Sequence, residues 1–213
     1  MDELIIVLAT KNQGKAKEIK ALLAGEPVKI MDLTEFGPMP EAREDSDTFE
    51  DNAYFKALHY ARVLGFPALA DDSGLSVEAL GGRPGVHSAR WAGENATDKD
   101  RVDKLLAEMK TMDNRKAEFV CALVLAIPSG PGLTWVGTVE GEIAREPQGE
   151  NGFGYDPVFY YAPLGKTFAQ ISRDEKNKIS HRGKALTEFI AEFDKVLVWL
   201  KQRQQEVEAP HHH

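Results

Sequence analysis

The run Leu4-Ile5-Ile6-Val7-Leu8-Ala9 is continuously apolar and β-prone, and it gives way at once to polar Thr10-Lys11-Asn12-Gln13-Gly14-Lys15. A strand without polar alternation is buried on both faces, which is the pattern of a sheet covered by helices on either side. Beyond the polar hexapeptide, Ile19, Leu22 and Leu23 fall at helical spacing and Gly25 offers a stop. The hexapeptide joins a strand's end to a helix's start, where free backbone N–H groups and the helix dipole favour an anion, and Lys15 adds a mobile positive charge. It is not a Walker loop, because the G-x-x-x-x-G-K-[ST] spacing is absent, and a solvated loop accounts for the same residues.

The remaining pattern alternates helix and strand. Lys29 to Leu33 forms a second short strand, followed by a Pro-rich acidic surface loop from Phe36 to Asp47 that carries Glu41, Glu44, Asp45 and Asp47. Thr48 caps a helix running to Gly65, on which Asn52 and Lys56 share one side. A helix from Thr97 to about Lys110 shows the apolar stripe Val102, Leu105, Leu106 and Met109. Phe119 to Ile127 and Leu133 to Ala144 read as a hairpin, and Val158 to Tyr161 as a further strand. Ser172 to Lys176 shows a capping box, and Ser180 caps one long final helix that buries Leu186, Phe189, Phe193, Val196 and Leu200. Residues 1–203 form a single α/β domain, and 204–213 a polar tail ending in His211-His212-His213, an expected tag remnant.

Composition limits the partners. A chain of 213 residues suits one large domain or two joined lobes, and a net charge of −8 disfavours a nucleic acid polymer. No apolar run reaches membrane-spanning length and no signal peptide is expected, so the expected location is cytoplasmic. The single cysteine, Cys121, reads as a small buried hydrophobe.

Two further stretches carry chemistry. Asp71-Asp72 follows Ala68-Leu69-Ala70, and Ser73-Gly74 is expected to turn the chain directly afterwards. Adjacent carboxylates repel, and a divalent cation relieves that repulsion most directly; a plain Asp-Asp-Ser-Gly turn accounts for the same tetrapeptide. Gly149 to Pro157 is a glycine-rich loop whose aromatics, Phe153 and Tyr155, are expected to be exposed and able to stack on a flat ligand.

With these motifs in order, the chain resembles the inosine/xanthosine triphosphate pyrophosphatases. The resemblance rests on Ala9 to Lys15, Thr48 to Ala53, Ala70 to Leu75, Gly81 to Arg90, Gly152 to Pro157 and Ser180 to Gly183, and extends to about residue 195. It implies an elongated, mixed, twisted β-sheet flanked by helices, with two lobes around a central nucleotide-binding cleft. It further implies a Mg2+ requirement, a homodimer, and hydrolysis of ITP, dITP and XTP to monophosphate and pyrophosphate. Asp72 matches the general base and a metal ligand, and Glu44 a second metal ligand. Thr10, Lys11, Asn12, Gln13, Gly14 and Lys15 match the phosphate loop, with Lys56 as a further phosphate contact and Ser73 as a substrate contact. Phe153, Gly154, Tyr155 and Asp156 match the base-binding loop, and Lys176, His181 and Arg182 the contacts beside the base. Competing readings are a pyrophosphatase for modified pyrimidine or standard nucleotides and a nucleotide sensor without turnover; an RNA-binding module fits the acidic charge least.

Overall fold

Strand β1 (Ile5–Leu8) lies inside a seven-stranded sheet of order β2-β1-β3-β4-β5-β6-β7 in the computed structural model, which describes residues 4–208. The histidines at 211–213 lie outside the described residues. β1 pairs in parallel with β2 (Lys29–Asp32) and β3 (Ala68–Val77). From β3 onward every pairing is antiparallel, through β4 (Lys116–Ala126), β5 (Gly132–Ile143), β6 (Phe159–Tyr161) and β7 (Lys166–Thr167). The sheet is therefore mixed, and the expected β4–β5 hairpin is present.

Helix α1 (Gln13–Leu22) connects β1 to β2 and buries Ala16 and Ile19 in one core cluster with Leu69, Cys121 and Phe189. Helix α2 (Phe49–Leu64) connects β2 to β3 and buries Ala53, Ala57, Tyr60 and Ala61 in a different cluster, against Ala68, Ala70, Ala122 and Val124. Because side chains alternate along a strand, the two clusters occupy opposite faces of the sheet. The topology reverses beside β1, and the crevice beyond the strand ends at such a point is where open α/β sheets place ligands. Thr48 opens α2 by accepting from Asp51 N, and Gly65 closes it in the left-handed conformation, as their positions in the sequence imply.

A third cluster fills the other half of the molecule. Helix α3 (Asp98–Glu108) packs Val102 and Leu105, with Met109 just beyond its end, against Leu75, Val77, Phe119, Phe159 and Phe168. Helices α4 (Arg173–Ile179), α5 (His181–Ala191) and α6 (Phe193–Glu208) complete the fold. The single final helix expected from the sequence is thus two helices, because the chain breaks at Glu192, which accepts from Trp135 Nε1 at 2.9 Å and caps α5. Helix α6 continues to Glu208. Cys121 is fully buried and burial pushes its thiol up to about 11, which fits its reading as a small hydrophobe.

The Asp71-Asp72-Ser73-Gly74 stretch is not a turn. β3 runs straight through it, with Asp71 opposite Leu123, Asp72 opposite Ala122 and Gly74 opposite Val120. Gly74 serves close approach instead: a Cβ there would lie 2.5 Å from Gly85 O and 2.6 Å from Ser88 Oγ. Ser88 Oγ accepts from Leu75 N at 2.8 Å, so the 3-10 segment Gly85–Arg90 seals one side of β3.

Candidate functional site

The site grows from the end of β1 and the middle of β3. Asn12 caps α1, its Oδ1 accepting from Lys15 N at 3.1 Å, while Thr10 Oγ1 accepts from Asn12 N at 3.1 Å. The first turn of α1 holds no acidic residue. Lys15 points inward and donates to Asp71 Oδ2 at 2.7 Å; Arg182 Nε pairs with the same oxygen at 3.4 Å, and Lys56 Nζ donates to Asp71 O at 3.2 Å. Burial works against the charge on Asp71, yet Lys15 and Arg182 hold its carboxyl well below the usual carboxylate range. Two side chains of the expected phosphate loop lie elsewhere: Lys11 pairs with Glu41 in solvent and Gln13 is exposed.

Asp72 lives in a different environment. Successive strand residues point to opposite faces, so the two carboxylates do not share one cation as a neighbouring pair, and the expected mutual repulsion is relieved by separation. Asp72 Oδ2 accepts from buried Asn52 Nδ2 at 3.1 Å, and Asp72 Oδ1 from Ser73 N at 3.0 Å. Burial pushes the Asp72 carboxyl up to about 6 against the lowering pull of Asn52 and Lys56, with Glu44 adding to the rise. Glu44 Oε1 in turn pairs with Lys56 Nζ at 2.9 Å. Asn52 also accepts from Ser46 N at 2.9 Å, which ties the acidic loop to Asp72. Neighbouring acids thus have separate environments: Asp71 is held ionised among cations, while burial pushes the Asp72 carboxyl up.

Between the two halves of the molecule lies a cleft of about 390 Å³, lined on one wall by Asn12, Gly14 and Lys15 and on the other by Phe153, Lys176, His181 and Arg182. Phe153 is 57% exposed, with Lys176 Nζ 4.5 Å from its ring centroid and Arg182 Cζ at 5.9 Å. Tyr155 departs from its expected exposure: it is buried and donates its hydroxyl to Ser88 O at 2.9 Å, because this glycine-rich loop is backed by the third core cluster. Asp156 is also buried, pairs with Lys176 and accepts from Phe153 N at 2.9 Å. Gly152 makes room for that carboxylate, since a Cβ there would lie 2.1 Å from Asp156 Oδ2. Tyr155 and Asp156 therefore hold the loop in shape, and Phe153 presents its face to the cleft. Asn52, Arg173 and Asn177 were not among the residues expected at the site; the helical spacing of Arg173, Lys176 and Asn177 along one face of α4 was the available signal.

His181 stacks on Phe119, with centroids 4.8 Å apart and planes inclined by 15°, and its buried Nδ1 has no hydrogen-bond partner among the described residues. Burial, with Arg182 and Lys176 beside it, lowers its pKa well below the ordinary value. A histidine whose folded pKa lies below its unfolded one contributes stability that is intact above the unfolded value and is lost as pH falls through it. We expect the denaturant midpoint of the parent to fall relative to that of His181→Phe, which keeps the ring stack without the proton, as pH drops from about 7 to 5; identical profiles would remove His181 as the source.

Residues 6–192 match the Ham1 family. A dITP/XTP pyrophosphatase from Syntrophobacter fumaroxidans is 58% identical over 95% of this chain and 88% of the relative, and one from Desulfotalea psychrophila is 53% identical over 95% and 91%. Among solved structures, a HAM1 protein from Coxiella burnetii superposes with a TM-score of 0.87 at 45% identity, covering 90% of this chain and 99% of that one. The Staphylococcus aureus Ham1 protein gives 0.85 at 41% identity, covering 90% and 98%. The chain belongs to the Ham1 family.

Proposed function

We propose that this chain hydrolyses the purine nucleotides ITP, dITP and XTP to the monophosphate and pyrophosphate. The observation that carries the reading is the Lys15–Asp71–Arg182 junction, which ties the loop at the α1 N-terminus to the wall bearing Phe153 in one cleft. The similarity to dITP/XTP pyrophosphatases supports the choice of substrate. A purine ring lies against Phe153, and its 6-oxo acceptor meets the donors of Lys176 or Arg182. Adenine would turn an amino donor toward those donors, and such mismatches in a closed site can discriminate by about four orders of magnitude.

Mg2+ belongs to the same proposal. Among the described residues no group of three or more His, Cys, Asp or Glu side chains is arranged to hold a metal ion. Asp72 and Glu44 offer oxygen ligands only, and Mg2+ is typically held by one or two carboxylates, with water and substrate phosphates completing its shell, so this pair fits it. When bound there, the ion would supply charge neutralisation to the phosphates. Asp72 accepts the proton of the attacking water as that water bonds to the α-phosphorus and the bond to the bridging oxygen of the leaving pyrophosphate breaks. Lys15 and Lys56 hold the charge that develops on the phosphates.

The test is a panel of ITP, dITP, XTP, ATP, GTP and dUTP with and without Mg2+, with products separated. Monophosphate plus pyrophosphate from the first three, at rates at least about a hundredfold above ATP and only with the cation, is the expected result. Equal rates on all six, or diphosphate plus phosphate as products, would contradict it. Assembly as a homodimer in the cytoplasm extends the proposal; among the described residues no helix is long and apolar enough to cross a membrane.

A further inference from the structure

Arg173 opens α4 one helical turn before Lys176, on the wall that carries Phe153. Its guanidinium does not stay on that wall: Nη2 lies 3.6 Å from where a Cβ on Gly14 would sit, beside the N-terminus of α1. The side chain therefore spans the cleft. Among the described residues no carboxylate pairs with it, in a chain whose net charge is −8 and where anions are plentiful. A cation next to the positive end of a helix dipole is unfavourable by itself, and α1 adds Lys15 to its first turn with no acid to compensate. Lys15 has Asp71 as its counter-charge, whereas Arg173 has none there.

We propose that Arg173 is a substrate-binding residue that reaches across the cleft mouth and clamps the outer two phosphates, those that leave as pyrophosphate, against the N-terminus of α1. This rests on the pyrophosphatase reading above. The anion supplies what the local charge lacks, since the guanidinium can give two parallel N–H···O bonds to a phosphate while the helix end donates from the opposite side. The clamp forms only once substrate bridges the two walls, so it acts on binding more than on the chemical step.

Arg173→Ala and Arg173→Lys test it, by steady-state kinetics on ITP and by calorimetric titration with inorganic pyrophosphate and with IMP. Arg173→Ala should raise KM for ITP about tenfold with kcat nearly unchanged and weaken pyrophosphate binding by a similar factor, leaving IMP binding as in the parent. Arg173→Lys should recover part of the loss, since it keeps the charge without the fork. Unchanged KM and unchanged pyrophosphate affinity in Arg173→Ala would overturn the assignment, as would an equal loss for IMP. A parent protein that binds pyrophosphate through Arg173 but does not turn over ITP would instead overturn the reaction and keep the clamp.

Discussion

Asp72→Asn reduces kcat on ITP by about a thousandfold or more, the scale of a lost general base, while the protein melts close to the parent. Burial holds the Asp72 carboxyl near 6, so ionising it in the folded state is unfavourable relative to the unfolded chain. That penalty is absent below the unfolded value of about 4 and develops as pH rises toward the folded value. At neutral pH the charge is therefore carried at a cost to stability; an amide of the same shape removes it and still accepts from Ser73 N, but turns its NH2 toward Asn52 Nδ2, so gain and loss largely offset. Asp71→Asn should show the reverse. Its carboxylate is the counter-charge of Lys15 at 2.7 Å and Arg182 at 3.4 Å, all three largely buried, so its removal leaves two cations facing each other. Breaking such a group typically destabilises by about 3 kcal/mol. Thermal melts of the metal-free proteins and single-turnover rates separate the pair. If Asp71→Asn abolished turnover without lowering stability, and Asp72→Asn did the opposite, the base would have to be reassigned to Asp71.

This division between neighbours was not legible in the sequence, and the reason is geometric. Asp71 and Asp72 were visible as an acidic pair, but whether they face one cation together depends on whether the backbone turns or stays extended at Ser73-Gly74. Local chemistry favours the turn. What decided otherwise is the ladder with β4, from Ala68 opposite Ala126 to Val77 opposite Ala117, a pairing set by residues some forty to sixty positions away. Tyr155 is similar, since the glycines before it, Gly152 and Gly154, suggest an exposed ring, and only the position of Ser88 O shows where its hydroxyl goes. By contrast, α2 was readable to within a residue because its cap at Thr48 and its stop at Gly65 are contained in its own segment. The phosphate loop was readable as a place, though not side chain by side chain, because a strand end and a helix start define the location while tertiary contacts sent Lys11 outward. Arg173 looked like part of a capping box, its spacing to Lys176 was the only local signal, and its reach toward Gly14 depends on a distant element.

Gly137→Ala produces a large loss of stability for the addition of a single methyl group, and it carries the site down with it. β5 passes directly beneath the start of α5, so a Cβ on Gly137 would lie 2.0 Å from His181 O and 2.7 Å from Ala185 N. Both obstacles are backbone atoms, so no rotamer change relieves the contact; the strand and the helix must separate. Gly137 has an ordinary strand conformation, outside the left-handed region in which glycine is specially favoured, so the effect isolates the clash from backbone strain. Overpacking that moves whole elements falls at or above the upper end of the usual range, about 3 kcal/mol, or a melting temperature lower by about 6–12 °C in a chain of this size. Lifting α5 also draws His181 off Phe119, on which it stacks at 4.8 Å, and Arg182 off Asp71, so kcat/KM on ITP should fall at temperatures where the variant is still folded. Val136→Ala, at the adjoining half-exposed position on the opposite face of the strand, is the control and should cost little. A Gly137→Ala protein within about 1 kcal/mol of the parent by denaturant unfolding would mean that α5 can shift on β5 without disturbing the core, and the close approach would then have no part in holding His181 and Arg182 at the cleft.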